Sequence, residues 1–210
     1  MPIGPILRGL LDLVAPRTCP ACDEPLPPGQ DGFCEACAPL LDPGERLGHA
    51  LAAYVYGGPM ADAICALKYG GRTEHAPVLG RMLAERALEL AGEVDAVVPV
   101  PLHPARLRQR GFNQSALLAR PVARALAVPL VTSELRRIRD TPPQASLSAR
   151  ARATNVRGAF VALRAPAPRV LLVDDVRTTG ATLAECADAL VTAGVDQVVT
   201  LVLARADEPE

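Results

Sequence analysis

Tryptophan is absent from this 210-residue chain, and aromatic residues make up only 3% of it. Without large rings the core must be assembled from Ala, Leu and Val, and a hydrophobic content of 50% supplies enough of them for a sizeable one. No apolar run approaches the roughly 18 residues that a membrane-spanning helix requires. The opening residues 3–14 carry Arg8 and Asp12 inside their apolar stretch, unlike a secretory leader, so a cytoplasmic location is expected. There is no Gly-Lys-Ser/Thr phosphate loop, which removes the P-loop nucleotidases. Internal repeats and low-complexity stretches are missing too, and the length suits one ordinary domain with a small appendage.

Lysine is nearly missing: of 22 basic residues, only Lys68 is one. It closes a helix-like segment before a Gly-Gly stop. There a helix-end cation is favoured by the macrodipole, but a compact ammonium also suits a phosphate or a developing negative charge. The arginines are unevenly spread. Residues 101–164 hold twelve of them against two acids, Glu134 and Asp140, leaving the remainder of the chain acidic. A cationic middle between acidic ends suits a polyanionic ligand such as pyrophosphate, a phosphorylated sugar or nucleic acid.

What the chain does contain is concentrated between Val170 and Thr182. Four apolar residues lead into Asp174 and Asp175, followed by a turn of Arg177, Thr178, Thr179, Gly180, Ala181 and Thr182 and then a helix-like stretch. A continuous apolar run before a helix reads as a buried parallel strand, and ligands sit at the carboxyl ends of such strands. Three Thr hydroxyls, backbone N–H groups, a permissive glycine and a helix N-terminus make a pocket for a phosphate monoester. The two carboxylates suit vicinal hydroxyls on the same ligand, and a sugar 5-phosphate carries both groups. An ordinary strand-turn-helix with a polar N-cap would need no paired acids.

Cys19, Cys22, Cys34 and Cys37 form two C-x2-C knuckles eleven residues apart. Four thiolates at this spacing suit a tetrahedral structural Zn²⁺ with no open position, in a segment too short to build its own core. Disulfides are the alternative in an oxidising compartment. Cys65 and Cys186 lie among apolar residues and read as core.

Strands are expected over residues 50–56, 94–101, 128–132, 158–163, 169–174 and 197–203. Helices are expected over 60–69, 75–91, 113–127 and 182–194, with Pro121 kinking or splitting the third. Residues 135–154 show no clear period. The alternation predicts a doubly wound, mostly parallel α/β sheet. Three loops then converge on one crevice. The first follows the strand at Val100 and carries Leu102, His103, Arg110, Asn113 and Gln114, with further arginines, to hold a pyrophosphate. The second, residues 139–155, carries Gln144 and Arg152 and is long, polar and basic, like an active-site lid. The Thr-rich turn is the third.

The acid pair and Thr-Thr-Gly-x-Thr turn resemble the PRPP-binding signature of type I phosphoribosyltransferases. Taken with the four cysteines, Leu67-Lys68-Tyr69 with Arg72, the 99–103 and 110–114 segments and the spread Gln144, Leu147, Arg152, Asn155, Gly158 and Phe160, the whole chain resembles the ComF family. That resemblance implies a zinc module over residues 1–44 joined to a type I phosphoribosyltransferase domain over 45–210, with a hood at about 45–92. It also implies a link to natural competence and DNA uptake. The expected chemistry is Mg²⁺-dependent transfer of phosphoribosyl from PRPP, with Asp174, Asp175 and Lys68 as catalytic residues and an acceptor that the sequence does not name. Two alternatives stand beside it: a single-stranded-DNA-binding competence factor that keeps the pocket without turnover, and a zinc-dependent adaptor for competence-machinery proteins.

Overall fold

A computed structural model describes residues 17–141 and 155–206. Residues 1–16, 142–154 and 207–210 lie outside the described part, and with them Gln144, Arg152 and most of the second loop.

Five strands make the main sheet: β1 (Arg46–Leu47), β2 (Ala50–Val55), β3 (Ala96–Pro99), β6 (Arg169–Arg177) and β7 (Gln197–Arg205), in the order β1-β2-β7-β6-β3. Only β1 pairs antiparallel; the other three pairings are parallel. The helices are α1 (Gly58–Tyr69), α2 (Ala76–Ala87), α3 (Pro104–Arg110), α4 (Gln114–Ala125) and α5 (Ala181–Thr192). A separate antiparallel ribbon pairs β4 (Leu135–Arg137) with β5 (Phe160–Ala162).

β6 shows why the sheet is central. Leu171 and Val173 enter the apolar cluster formed with α1, α2 and α4, while Val170 and Leu172 enter the one formed with α5 and the ribbon. With both faces covered, the strand is apolar without alternation. The chain leaves β3 through α4 to an edge segment at Leu130, which bridges Val97 in parallel. From β6 it goes the other way, through α5 to β7. β3 and β6 are thus neighbours whose connections diverge, and the crevice above their carboxyl ends is the topological switch point where such sheets bind ligands.

Several expectations shift. β6 runs through the acid pair to Arg177, because β7 pairs with it as far as Arg177 and Arg205. The 128–132 strand reduces to one bridge. The first loop contains a short helix, begun by Pro104 at a position where its missing N–H costs nothing. Residues 135–137, without helical or strand period in sequence, form β4 because β5 offers an edge. Pro121 neither splits nor ends α4; its ring packs against Gly80 of α2. Among the described residues no helix is long and apolar enough to cross a membrane.

The cysteine segment packs onto the domain and has no core of its own. Cys19, Leu26, Phe33 and Cys34 are buried in the same apolar cluster as α1 and α2. Arg72 clamps it from just beyond α1, pairing with Asp23 at 2.5 Å and donating to Thr18 Oγ1 at 3.0 Å.

The α2–α4 contact is tight at one point: a Cβ on Gly80 would lie 2.8 Å from Pro121 Cγ. Helix propensity alone would favour a larger residue at this helical glycine by up to about 1 kcal/mol. Overpacking against a rigid ring costs about 1–3 kcal/mol and decides the sign. Gly80→Val is therefore expected to lower the melting temperature in a thermal scan; an unchanged or raised value would show that the two helices do not meet there.

Candidate functional site

The crevice at the switch point holds a cavity of about 350 Å³, within the size range of small-ligand sites. It is lined from β6 and the following turn by Asp174, Asp175, Val176, Thr178 and Thr182. Val100, Pro101, Leu102, Arg106, Arg110, Gln114 and Ser115 line it from the β3–α4 region. Tyr56, Cys65, Lys68 and Tyr69 come from the β2–α1 region, and Arg137 from the ribbon.

The acids sit on the floor of this cavity, near the carboxyl end of β6, where both border the crevice. Asp174 is held by Ser115, whose hydroxyl donates to Oδ1 at 2.7 Å, and by the Asp175 N–H at 2.9 Å. Asp175 receives the Lys68 ammonium at 3.0 Å on Oδ1, while its Oδ2 is buried with no hydrogen-bond partner among the described residues. Burial, followed by the neighbouring Asp175 charge, lifts the Asp174 pKa to about 7; Ser115 and Lys68 oppose the rise. Burial alone would depress Lys68. The charge of Asp175, then that of Asp174, outweighs it and leaves the ammonium pKa above its ordinary value.

Gly180 makes the turn. It caps α5 at φ 76°, a conformation that favours glycine, and a Cβ there would press on Arg177 Nε at 3.2 Å. The Ala181 N–H is donated to Thr179 Oγ1 at 3.4 Å. Thr178 and Thr182 face the cavity with the acids. Arg177, Thr179, Gly180 and Ala181 instead line an open groove beside Ala50 and Thr200.

Of the remaining expected site residues, Lys68, Leu102, Arg110 and Gln114 line the cavity. Arg110 is fixed by Gln114 Oε1 at 2.6 Å and by stacking over the Tyr69 ring, 5.4 Å from its centroid. His103 caps α3, its Nδ1 accepting from the Ala105 N–H at 3.3 Å. Asn113 caps α4 through the Ser115 N–H at 3.0 Å and donates to the Val100 carbonyl at 3.0 Å. Both positioning contacts hold the elements that carry the cavity wall.

Ser115, Arg137, Tyr56 and Cys65 reach the cavity without having been singled out as ligand contacts. Ser115 had a signal, since it lies two residues past a good N-cap on the helix nearest the acids. Arg137 had none, because its ribbon exists only through pairing with a strand more than twenty residues later.

The four sulfurs of Cys19, Cys22, Cys34 and Cys37 all lie within 4.8 Å of one another. A tetrahedral zinc at about 2.3 Å from each sulfur sets neighbouring sulfurs about 3.8 Å apart, and the Cys22–Cys34 separation is 3.7 Å. Burial pushes the Cys37 thiol up, whereas at Cys19 the backbone N–H groups of Cys34, Cys22 and Ala21 outweigh burial and bring the pKa down to about 7. The donor set fits a closed structural zinc site.

No family model matches the chain. Curated relatives do. The DNA utilization protein YhgH of Salmonella typhi is 35% identical over 194 residues, covering 89% of this chain and 83% of that protein. The Escherichia coli K12 protein of the same name is 35% identical over 198 residues. Competence protein F of Haemophilus influenzae is 40% identical over 116 residues, covering 53% of this chain and 51% of that one. Solved structures with similarity include an allosteric regulatory enzyme of purine biosynthesis, at 27% identity and a TM-score of 0.41, covering 63% of this chain and 25% of that one. Orotate phosphoribosyltransferase from Aeropyrum pernix follows at 24% and 0.39, covering 64% and 62%. Similarity at that level says nothing of chemistry. The DNA utilization proteins, at 35% identity and matched across 83% of their own length, settle the kinship: the chain belongs to the ComF family.

Proposed function

We propose that the chain is a phosphoribosyltransferase-like protein of the glycosyltransferase class that binds PRPP with Mg²⁺ and serves competence-linked DNA uptake. One observation carries the reading. An acid pair, hydroxyls of a glycine-capped helix turn and two arginines of the β3–α4 region share a single cavity whose floor has an unsatisfied acceptor, Asp175 Oδ2. A ribose hydroxyl is the donor that oxygen lacks.

In this reading the sugar 5-phosphate rests on the Thr178–Thr182 turn, and the ribose hydroxyls donate to Asp175 and Asp174. Arg106 and Arg110 take the pyrophosphate. The C1–O bond breaks with its electron pair leaving on pyrophosphate, and a lone pair on the acceptor forms the new bond to C1. The carboxylates stabilise positive charge building on the ring, and the guanidiniums stabilise the anion that departs. Lys68 holds the Asp175 carboxylate in place for that task. Asp174 and Asp175, through the ribose hydroxyls, would hold Mg²⁺, whose contribution is Lewis-acid neutralisation of the pyrophosphate. The acceptor would meet the wall made by Tyr56, Cys65 and Tyr69 of the 45–92 hood.

Calorimetric titration with PRPP and Mg²⁺ tests this. Wild type is expected to bind, and the Asp174→Ala, Asp175→Ala double variant to lose at least about tenfold in affinity. Affinity is also expected to climb with pH up to about 7 and level off above it, because ligand binding favours the ionised form of Asp174. The slope is at most about tenfold per pH unit. The fold responds in the opposite sense. A carboxyl raised from 3.8 to about 7 holds more protons folded than unfolded, so its contribution to stability is lost as pH rises through that window. Equal binding by wild type and double variant removes the proposal.

Zinc belongs to the same reading, as a structural ion held by Cys19, Cys22, Cys34 and Cys37. Those thiols remain free for it in a reducing, cytoplasmic setting. Elemental analysis should find one zinc per chain and almost none in Cys34→Ser, whose melting temperature should fall because the segment shares the α1–α2 core. A metal-free wild type that melts normally would refute it.

A second reading, direct contact with single-stranded DNA beside partner proteins of the competence machinery, is favoured by the relatives' names and the arginine-rich middle. The two aromatics of that middle are taken: Phe160 is buried beneath Arg137 and Phe112 packs against the core. Stacking platforms need open rings. Fluorescence anisotropy with a labelled oligonucleotide is expected to show only weak binding that collapses with salt. Tight, salt-resistant binding competed by PRPP would promote DNA to the cavity's ligand.

A further inference from the structure

Three guanidinium groups line the cavity, and they differ in what answers their charge. Arg106 has Asp140 at 3.7 Å. Arg110 is fixed by Gln114 and the Tyr69 ring near the cavity mouth. Arg137 has no carboxylate within ion-pair distance among the described residues, although the charges of Asp140 and Asp174 reach it from farther off. It is only 8% exposed, lies 5.4 Å from the Phe160 ring centroid, and gives one N–H to the Thr141 hydroxyl. Its Nε–H is shut away from water without an acceptor among the described residues.

A buried cation without a close ion pair is costly to hold. Burial and then the nearby positive charge of Arg106 hold its pKa below the ordinary guanidinium range. One hydroxyl and one ring contact do not offset such a cost. A residue kept only to anchor the ribbon would be apolar, as Leu135 is on the same face. The missing acceptor is therefore one that arrives with a ligand. Arg106 reaches the Thr141 carbonyl while Arg137 holds the Thr141 hydroxyl, so one residue carries both guanidiniums side by side. Two adjacent forks match an anion with several charged oxygens better than a lone carboxylate.

We propose that Arg137 is a pyrophosphate-holding residue, forming with Arg106 an anion subsite separate from the Thr178–Thr182 turn. The subsite stands on its own geometry; the identity of the ligand's other end rests on the phosphoribosyl reading.

The test titrates inorganic pyrophosphate and, separately, ribose 5-phosphate into the full-length, zinc-loaded protein with Mg²⁺ present. Arg137→Met is expected to weaken pyrophosphate by at least about tenfold, to leave ribose 5-phosphate within about twofold, and to melt no lower than wild type. Arg137→Lys keeps the charge but not the fork and should lie between; it carries the comparison if the Met variant does not fold. Equal pyrophosphate binding in wild type and variants overturns the proposal. So does parallel loss of both ligands with a lowered melting temperature, which marks a merely structural arginine. Wild type that binds pyrophosphate through Arg137 but not ribose 5-phosphate keeps the subsite and removes the phosphoribosyl reading; wild type that ignores pyrophosphate overturns the subsite alone.

Discussion

Two adjacent carboxylates at the end of a buried strand are the constraint around which the rest is arranged. Left uncompensated, a single buried charge costs several kcal/mol, a large share of the 5–15 kcal/mol or so by which a domain is stable. The chain answers each acid from a different element. Ser115, in the first turn of α4, donates to Asp174, and Lys68, in the last turn of α1, pairs with Asp175. Those two contacts fix where α4 begins and where α1 ends relative to β6. The compensation is deliberately incomplete: Asp175 Oδ2 keeps a vacant lone pair, and Asp174 sits near the midpoint of its titration at neutral pH. A site that were fully satisfied would be stable and inert.

The cysteine segment enters the same argument through Arg72. It follows α1 by two glycines, and its guanidinium is held by Asp23 and Thr18 on either side of the first cysteine knuckle. Anchoring that point restrains the helix end carrying Lys68. A four-cysteine appendage that shares its apolar core with α1 and α2 thus stiffens one wall of the cavity, although no cysteine of the four lines it.

Much of this was legible because the chain is locally consistent. The run from Val170 to Val173 is apolar at every position because both faces of β6 are covered, and the paired acids after it have no other use in a strand. The cysteine spacing is equally direct. Legibility failed where a role depends on a partner remote in sequence. Arg137 looks like one more arginine of a basic stretch until β5 pairs with β4 and turns it inward. His103 and Asn113 look like ligand contacts because they stand in the right loop, yet His103 Nδ1 and Asn113 Oδ1 cap the N-termini of α3 and α4, and Asn113 Nδ2 donates to the Val100 carbonyl. The Thr-rich turn reads as one pocket, but its backbone direction splits it, sending Thr178 and Thr182 to the cavity and Thr179 to the neighbouring groove.

The near-absence of lysine and of aromatic rings acquires a physical meaning in the cavity. An ammonium on a flexible stem serves where a point charge must meet one carboxylate oxygen, and Lys68 does that. Elsewhere on the wall the cations need a fixed plane. Arg110 lies over Tyr69 and Arg137 over Phe160, so two of the chain's six phenyl-type rings orient guanidinium groups. A lysine at either place would keep the charge and lose the planar fork with its paired N–H groups. With two of so few rings placed under guanidinium groups, and aromatics only 3% of the chain, a row of rings for stacking bases is not available.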